Sequence, residues 1–304
     1  RLGCRLFLTR PLRSYSSVWL WPLSFLSKNF SGYETRNFFQ LRCPAYARQP
    51  PNRYHSPMLE RSSGEPLLSA IKKKEKMLFS NTAADDTNRV RIKLCGLTLE
   101  DDVLTAVQSG ADAVGFVCYP ASPRYVTPSR LMCLLSMVPS SVTKVLVFVN
   151  PTSEEVREHL AMFPDCVLQF HGNESRAFCD QFHVPYVKAV SVKQPEDLLR
   201  AQDEYPMAVA LLADAATPEF GGCGKSFDWE GVGKIRDQIR KPLIVAGGLK
   251  EQNVSQAIRV MRPWAVDAAS GVETARGIKD HDKIQKFIEA VRRGGECEDS
   301  LLQA

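Results

Sequence analysis

The stretch MAVALLADAATPEFGGCGKSFDW, residues 207–229, contains the features from which the fold can be inferred. Its first part, MAVALLA, is a short apolar run typical of a buried strand, and the carboxylate of Asp214 follows it directly. After a loop that contains three glycines, Asp228 stands at the N-cap position of a helical pattern. The stretch is therefore strand, loop and helix, with Asp214 either a catalytic acid at a strand end or an ordinary turn residue.

The same succession of a strand-like run and a helical pattern repeats from Val90 onward, eight times in about 200 residues. The predicted strands fall at 90–96, 111–119, 143–150, 166–172, 185–190, 207–214, 241–248 and 265–271. The predicted helices lie near 100–109, 128–137, 153–162, 174–182, 195–204, 228–238, 251–260 and 280–292.

Such an alternation indicates an α/β fold, with a parallel sheet whose strands are joined by helical crossovers. Eight units are what a closed (β/α)8 TIM barrel requires. An open doubly wound sheet is the alternative, but it usually has fewer strands, and no G-x-G-x-x-G follows the first strand here. We therefore predict a barrel over residues 88–294, followed by a short tail at 295–304.

Residues 1–85 do not resemble a folded domain and are predicted to be a disordered or targeting-type extension. They are rich in Arg and Ser, and after Glu34 the next acidic residue is Glu60. This composition is typical of an organelle transit peptide, which would place the protein in a plastid or another organelle. Alternatively, the segment is mispredicted sequence upstream of a start at Met58 or Met77, and the protein is then cytoplasmic.

Charge and cysteine usage exclude several classes of function. Residues 1–56 hold nine Lys or Arg and one acid, so removing their +8 from the net +5 leaves about −3 for the remainder. A mildly acidic domain argues against a nucleic-acid partner, and no apolar run is long enough to span a bilayer. The nine cysteines form no C-x-x-C pair. No group of His and carboxylates has metal-ligand spacing either, so we predict no metal. The sequence leaves open whether the protein is a monomer or a homodimer.

The first strand carries charge on its inward face. Because side chains alternate along a strand, Ile92 and Leu94 would face the helices, while Lys93 and Cys95 would face the barrel interior. An inward lysine needs a partner, and the alternation on strand eight offers Asp267. We predict a Lys93–Asp267 ion pair, and expect the cation to lower the thiol pKa of Cys95. The alternative for Cys95 is a small buried apolar residue.

Two further loops suggest anion binding at the carboxyl ends of the strands. Gly247 and Gly248 follow strand seven, and Ser270 and Gly271 follow strand eight. Loops at these two positions commonly bind phosphate in barrels, because glycines let backbone N–H groups approach its oxygens. Tight turns are the alternative interpretation.

Arg124 and His171 are the remaining candidates. Arg124 lies in the loop YPASPRYVTP after strand two, where it could bind a carboxylate bidentately or remain a solvated surface residue. His171, in QFHG, is either an acid–base group or a polar residue whose hydrogen bonds are satisfied within the protein.

Several motifs together resemble one enzyme family, that of phosphoribosylanthranilate isomerase. The resemblance runs from about Val90 to Arg293 and includes all the predicted strand ends. It implies a (β/α)8 barrel of tryptophan biosynthesis that performs an Amadori rearrangement of N-(5-phosphoribosyl)anthranilate without a cofactor. The motifs that carry the resemblance are KLCGLT at 93–98, GADAVGFV at 110–117, SPRYVT at 122–127, VFVN at 147–150, QFHG at 169–172, TPEFGGCGKSFDW at 217–229, AGGL at 246–249 and VDAASGVE at 266–273.

The resemblance also implies residue roles. Cys95 would be the general base, Asp214 the general acid, and Arg124 the residue that meets the anthranilate carboxylate. His171, Lys93 and Asp267 are assigned to substrate binding as well. Gly248, Ser270 and Gly271 would belong to the phosphate loops. We assign Gly222, Gly224 and Gly247 to phosphate binding as well.

This sequence departs from the family pattern at two positions. Cys223 stands where Ser or Thr is usual between the loop-six glycines, and Ala269 stands where Ser is frequent. Two other functions would suit parts of this pattern. A related isomerase of histidine biosynthesis uses two aspartates, and Cys95 at the end of strand one argues against it. A phosphosugar-binding barrel without catalysis is disfavoured because both Cys95 and Asp214 are present.

Overall fold

A computed structural model describes residues 89–215 and 227–299, and the side chains of this part as far as Gly294. The predicted extension at 1–85 and the residues of loop six, including Gly222, Cys223 and Gly224, lie outside the described residues. The last five residues of the predicted tail lie outside them too. The predictions that fall on these segments stay predictions.

Eight parallel strands close into a barrel in chain order, which confirms the predicted fold class. Each strand is a run of buried residues, and most are shorter than the predicted run because the pairing stops where the chain turns towards the following loop. The strands are β1 Arg91–Cys95, β2 Ala113–Val117, β3 Thr143–Phe148, β4 Val167–Phe170, β5 Tyr186–Val192, β6 Ala210–Ala215, β7 Leu243–Val245 and β8 Ala265–Ala268.

A helix follows each strand, close to the predicted position. Asp228 caps its helix by accepting a hydrogen bond from the Gly231 amide, as the sequence indicated. Short 3-10 turns lie at 236–238 and 270–272. The helices are α1 Glu100–Ser109, α2 Pro128–Ser136, α3 Ser153–Met162, α4 Arg176–Asp180, α5 Glu196–Glu204, α6 Trp229–Ile235, α7 Val254–Met261 and α8 His281–Asp299. The backbone of α8 therefore continues into the predicted tail. None of the helices in the described ranges is long and apolar enough to cross a membrane.

The alternation of side chains divides the core into two layers. Ile92 and Leu94 pack against the helices, whereas Cys95 packs among the small and branched residues that fill the barrel interior. The register of β1 and β8 places Lys93 directly beside Asp267. The predicted orientation of the first strand is thus confirmed, and it brings charge to the centre of the barrel.

A short antiparallel hairpin between β8 and α8 was not predicted from the sequence. Its strands are β9 Glu273–Ala275 and β10 Ile278–Lys279, joined through Gly277 with a φ of 84°. Glu273 and Lys279 are both buried, although the segment ETARGIK shows no apolar alternation. The hairpin brings these two charges to the same end of the barrel as the predicted active site.

Candidate active site

A cavity of about 530 Å³ opens at the carboxyl ends of the strands. It brings together residues that are far apart in sequence, as expected for a barrel whose loops build the site. Lys93 lies beneath it, with only 1% of its surface exposed. The predicted residues that line the cavity are Cys95, Arg124, His171, Asp214, Gly247, Gly248, Asp267 and Ser270.

The Lys93–Asp267 ion pair is present, as predicted. Lys93 Nζ donates a hydrogen bond to Asp267 Oδ2 at 2.8 Å, and both side chains are buried. Asp267 Oδ1 has no hydrogen-bond partner among the described residues, and Asp267 borders the cavity. Gly115 on β2 leaves room for this arrangement, since a Cβ there would lie 2.8 Å from Cys95 Sγ and 3.2 Å from Lys93 Nζ.

Lys93 acts on Cys95 in the expected direction, but the expected lowered pKa of the thiol is wrong, because burial outweighs the cation. Burial raises the pKa of the Cys95 thiol above its ordinary value, and the positive charge of Lys93 opposes this effect only in part. Asp267 acts against the lysine, because its negative charge disfavours a thiolate. The resting thiol is therefore protonated at neutral pH, and its proton has to leave when a substrate is present.

Asp214 lies at the end of β6 and contacts His171 at the end of β4. Its Oδ1 accepts the backbone N–H of Ala215 at 2.8 Å, and its Oδ2 lies 3.2 Å from His171 Nε2. His171 Nδ1 lies 2.9 Å from Gln169 Nε2 on the same strand. His171 is thus engaged within the protein, one of the two interpretations left open, and its partner is the predicted acid.

Arg124 is buried rather than solvated, and it belongs to a network that the sequence did not indicate. Its Nε and Nη2 donate to the two carboxylate oxygens of Glu273 at 2.8 and 2.7 Å. Lys279 Nζ donates to Glu273 Oε1 at 2.8 Å, and also to the backbone oxygens of Cys95 and Ala269 at 2.7 and 3.0 Å. The hairpin therefore connects the ends of β1 and β8 with the loop after β2.

Gly96 explains how Arg124 reaches this position. Its φ of 74° favours glycine, and a Cβ at this residue would lie 2.4 Å from Arg124 Cδ. The arginine side chain therefore crosses the backbone directly after Cys95. Arg124 Nη1 makes no hydrogen bond to any residue in the described part of the chain, and the arginine borders the cavity.

The loops after β7 and β8 touch each other. Gly247 and Gly248 have φ values of 80° and 67°, and Asn253 Nδ2 donates to the Gly248 oxygen at 3.0 Å. A Cβ at Gly271 would lie 1.8 Å from the Leu249 backbone oxygen. The backbone of the two loops is therefore packed together at the rim of the cavity, where the sequence predicted an anion site.

Three residues of the site were not singled out from the sequence. Gln169 has the same inward parity as His171, so the reasoning applied to Lys93 would have found it. Glu273 and Lys279 had no comparable signal, because their burial depends on the hairpin rather than on any periodic pattern. Within the described residues, no group of three or more His, Cys, Asp or Glu is placed to hold a metal ion.

Comparison with known proteins gives the family. The sequence pattern of N-(5'-phosphoribosyl)anthranilate isomerase matches residues 92–290. The isomerase of Dechloromonas aromatica is 47% identical over 208 residues, which are 68% of this chain and 99% of that protein. The chain belongs to the phosphoribosylanthranilate isomerase family. The isomerase of Hahella chejuensis, at 45% identity over 206 residues, covers 67% of this chain and 95% of its own length.

Solved structures of the family agree with the barrel. The Thermotoga maritima isomerase is 42% identical, with a TM-score of 0.62 over 67% of this chain and 99% of that one. A phosphoribosyl anthranilate isomerase in complex with reduced 1-(o-carboxyphenylamino)-1-deoxyribulose 5-phosphate is 38% identical, with a TM-score of 0.60 and the same two coverages. The family enzymes thus match the described barrel over nearly their whole length.

Proposed function

We propose that this chain converts N-(5'-phosphoribosyl)anthranilate into 1-(2-carboxyphenylamino)-1-deoxyribulose 5-phosphate, a step of tryptophan biosynthesis. The observation that carries the proposal is a single cavity that holds Cys95, Arg124 and Asp214 in a chain of this family. As expected from the sequence, the enzyme would work as a monomer or homodimer, without a cofactor.

Asp214 is proposed as the general acid. Protonation of the ribose ring oxygen breaks the C1′–O4′ bond and leaves a Schiff base between C1′ and the anthranilate nitrogen. The side chain is buried but borders the cavity, so it can reach a substrate there. A general acid needs both hydrogen-bond reach and a proton to deliver.

Cys95 is proposed as the general base, which removes the proton on C2′. The electrons of that C–H bond form a C1′–C2′ double bond while the C1′–N π electrons return to nitrogen, which gives an enol with an amine at C1′. The enol becomes the ketone when C1′ takes up a proton and the C2′ hydroxyl loses one. Cys95 comes from β1 and Asp214 from β6, so the two groups approach the substrate from different sides of the barrel mouth. A base and an acid that act on different atoms require this kind of separation.

Substrate binding is proposed to use the remaining cavity residues. Arg124 Nη1 would meet the anthranilate carboxylate, and Asp267 Oδ1 would accept a sugar hydroxyl. Their support is that each atom lacks a hydrogen-bond partner in the described part of the chain while its residue borders the cavity. Gly247, Gly248, Ser270 and Gly271 would hold the phosphate through backbone N–H groups.

The test is loss of the fluorescence of phosphoribosylanthranilate when enzyme is added. Cys95→Ser keeps the shape but offers a hydroxyl that hardly ionises, and Asp214→Asn cannot deliver a proton. Each change should lower kcat by at least about a hundredfold with a modest change in KM. A Cys95→Ser enzyme with near wild-type turnover would remove the thiol from the mechanism. Substrate binding without turnover in the wild type would favour a barrel that only binds phosphosugars.

A further inference from the structure

Gln169 is a polar side chain in the interior of the barrel, and only 1% of its surface is exposed. On β4 it lies in register between Val147 of β3 and Val187 of β5. Its Nε2 contacts His171 Nδ1 at 2.9 Å, while its Oε1 is buried and has no hydrogen-bond partner among the described residues. A buried amide oxygen without a partner is costly, so its retention calls for a role.

The orientation of the Gln169 amide determines which nitrogen of the histidine ring carries the proton. Because the amide nitrogen of Gln169 donates to Nδ1, this ring nitrogen carries no proton. The one ring proton is then on Nε2, which donates to Asp214 Oδ2 at 3.2 Å. His171 and Asp214 together therefore hold a single proton, and Asp214 is a carboxylate in this state.

A rotated amide would allow the pair to hold a second proton. Turning the Gln169 amide by half a rotation brings Oε1 to the position of Nε2, where it accepts a hydrogen bond from a protonated Nδ1. The second proton of the pair then lies between His171 Nε2 and Asp214 Oδ2. Its delivery to the substrate oxygen leaves one proton, on Nδ1, where Oε1 still accepts it. The relay resets when Nδ1 gives up this proton and Nε2 takes one up from solvent, and the amide then turns back.

We propose that Gln169, His171 and Asp214 form a proton relay in which the orientation of the Gln169 amide determines whether His171 and Asp214 hold one proton or two. The proposal rests on the proposed function, because it supplies the acid step with its proton. Gln169 is a positioning residue in this scheme, since it acts on the substrate only through His171 and Asp214.

Other charged groups surround the relay and contribute to its field. Across the cavity, β1, β8 and the neighbouring loops present Cys95, Asp267, Arg124 and Arg276. On β5, between the two strands of the relay, Lys188 is bound to Glu174 at 2.9 Å, and Lys193 follows at the end of the strand. These groups remain the same when only Gln169 is changed. A comparison of variants at this position therefore isolates the effect of the amide on the protonation of His171.

The test uses two substitutions of similar size. Gln169→Glu provides a permanent acceptor for the Nδ1 proton, so the two-proton state should persist to a pH about one unit higher. Gln169→Met provides no acceptor and should lose that state about one unit lower. The protonation of His171 Nδ1 is followed by nitrogen-15 NMR of histidine-labelled enzyme across pH, with the His171 signals assigned from their absence in His171→Asn.

Turnover provides the second measurement. Gln169→Met should lower kcat about tenfold at neutral pH. If the two-proton state is lost about one pH unit lower, the fraction of enzyme in that state at neutral pH falls by about this factor. Its KM should stay within about twofold. Gln202→Met is the matched control, since Gln202 is also buried and hydrogen-bonded but lies on α5, away from the site. It should leave the Nδ1 titration unchanged.

The outcomes separate the relay from the proposed function. Nδ1 midpoints that agree in wild type and both Gln169 variants, or that shift in the same direction, would overturn the relay. An Asp214→Asn enzyme with normal turnover would instead overturn the assignment of the acid. In that case the NMR titration would still report whether Gln169 controls the protonation of His171.

Discussion

At the scale of single residues, the main feature is an ion pair buried beneath a thiol. Lys93 and Asp267 have side-chain exposures of 1% and 6%, and the pair lies between β1 and β8. Removing two charges from water costs free energy that their mutual attraction only partly returns. The pair therefore contributes little net stability, while the loss of one partner leaves a buried charge uncompensated.

Single and double substitutions of this pair should differ in a characteristic way. Asp267→Asn should lower the free energy of unfolding by about 3–5 kcal/mol, because the ammonium of Lys93 loses its counter-ion. The double variant Lys93→Met, Asp267→Val should recover most of that loss. Urea unfolding of the two single variants and the double variant measures the coupling directly.

The exposed pair of Arg240 and Asp203 is the control, with side-chain exposures of 74% and 70%. Its Asp203→Asn variant should change the free energy of unfolding far less. A double variant at Lys93 and Asp267 that loses the sum of its single effects would show that the two charges do not stabilise each other.

At the scale of elements, the hairpin of β9 and β10 stabilises the side of the site that carries Cys95, the proposed base. Burial raises the pKa of Glu273, but Arg124 and Lys279 lower it more, so the carboxyl stays ionised below its ordinary value of 4.5. A carboxyl with a lowered folded pKa stabilises the protein fully above its unfolded pKa. That contribution is lost as pH falls through the folded pKa.

Glu273→Gln should therefore change how the free energy of unfolding depends on pH in the acidic range. Above about pH 5 the variant should be less stable than wild type by roughly 3–5 kcal/mol, because two buried cations lose their partner. The difference should shrink as pH falls below about 4.5, where Glu273 of the unfolded chain takes up a proton, and should be lost once pH passes the lowered pKa of the folded protein. Denaturant unfolding from pH 3 to pH 7 checks the trend, and a difference that stays constant over this range would exclude Glu273 as the titrating group.

The sequence predicted the strands and helices of the barrel well, but it did not predict the hairpin. The eight strand–helix units were predicted because apolar runs such as TKVLVF and helical patterns such as that at 153–162 are strongly periodic. The inward parity of Lys93 led directly to Asp267. The hairpin was missed because two- and three-residue strands have no period, and with it the partners of Arg124. The pKa of the Cys95 thiol was misjudged because the sequence does not show how completely the thiol is buried, and burial raises the pKa more than Lys93 lowers it.

At the scale of the whole molecule, the described barrel begins at β1 and the family match at residue 92. We expect a chain that starts at Asp85 to fold alone and to keep full activity, since every predicted site residue lies beyond this point. Circular dichroism and the fluorescence assay on the shortened chain test this expectation. Loss of soluble protein on truncation would show that residues 1–84 contribute to the fold.

The contacts of the first strand also constrain the order in which the protein can be completed during synthesis. Lys93 binds a residue 174 positions later, and the carbonyl of Cys95 is held by Lys279, 184 positions away. A nascent chain thus has β1 early and can pair it with β2 soon afterwards, but Asp267 and Lys279 are made only after β7. Closure of such long loops is slow. The side of the site that carries Cys95 therefore takes its final form only after nearly the whole barrel has been made.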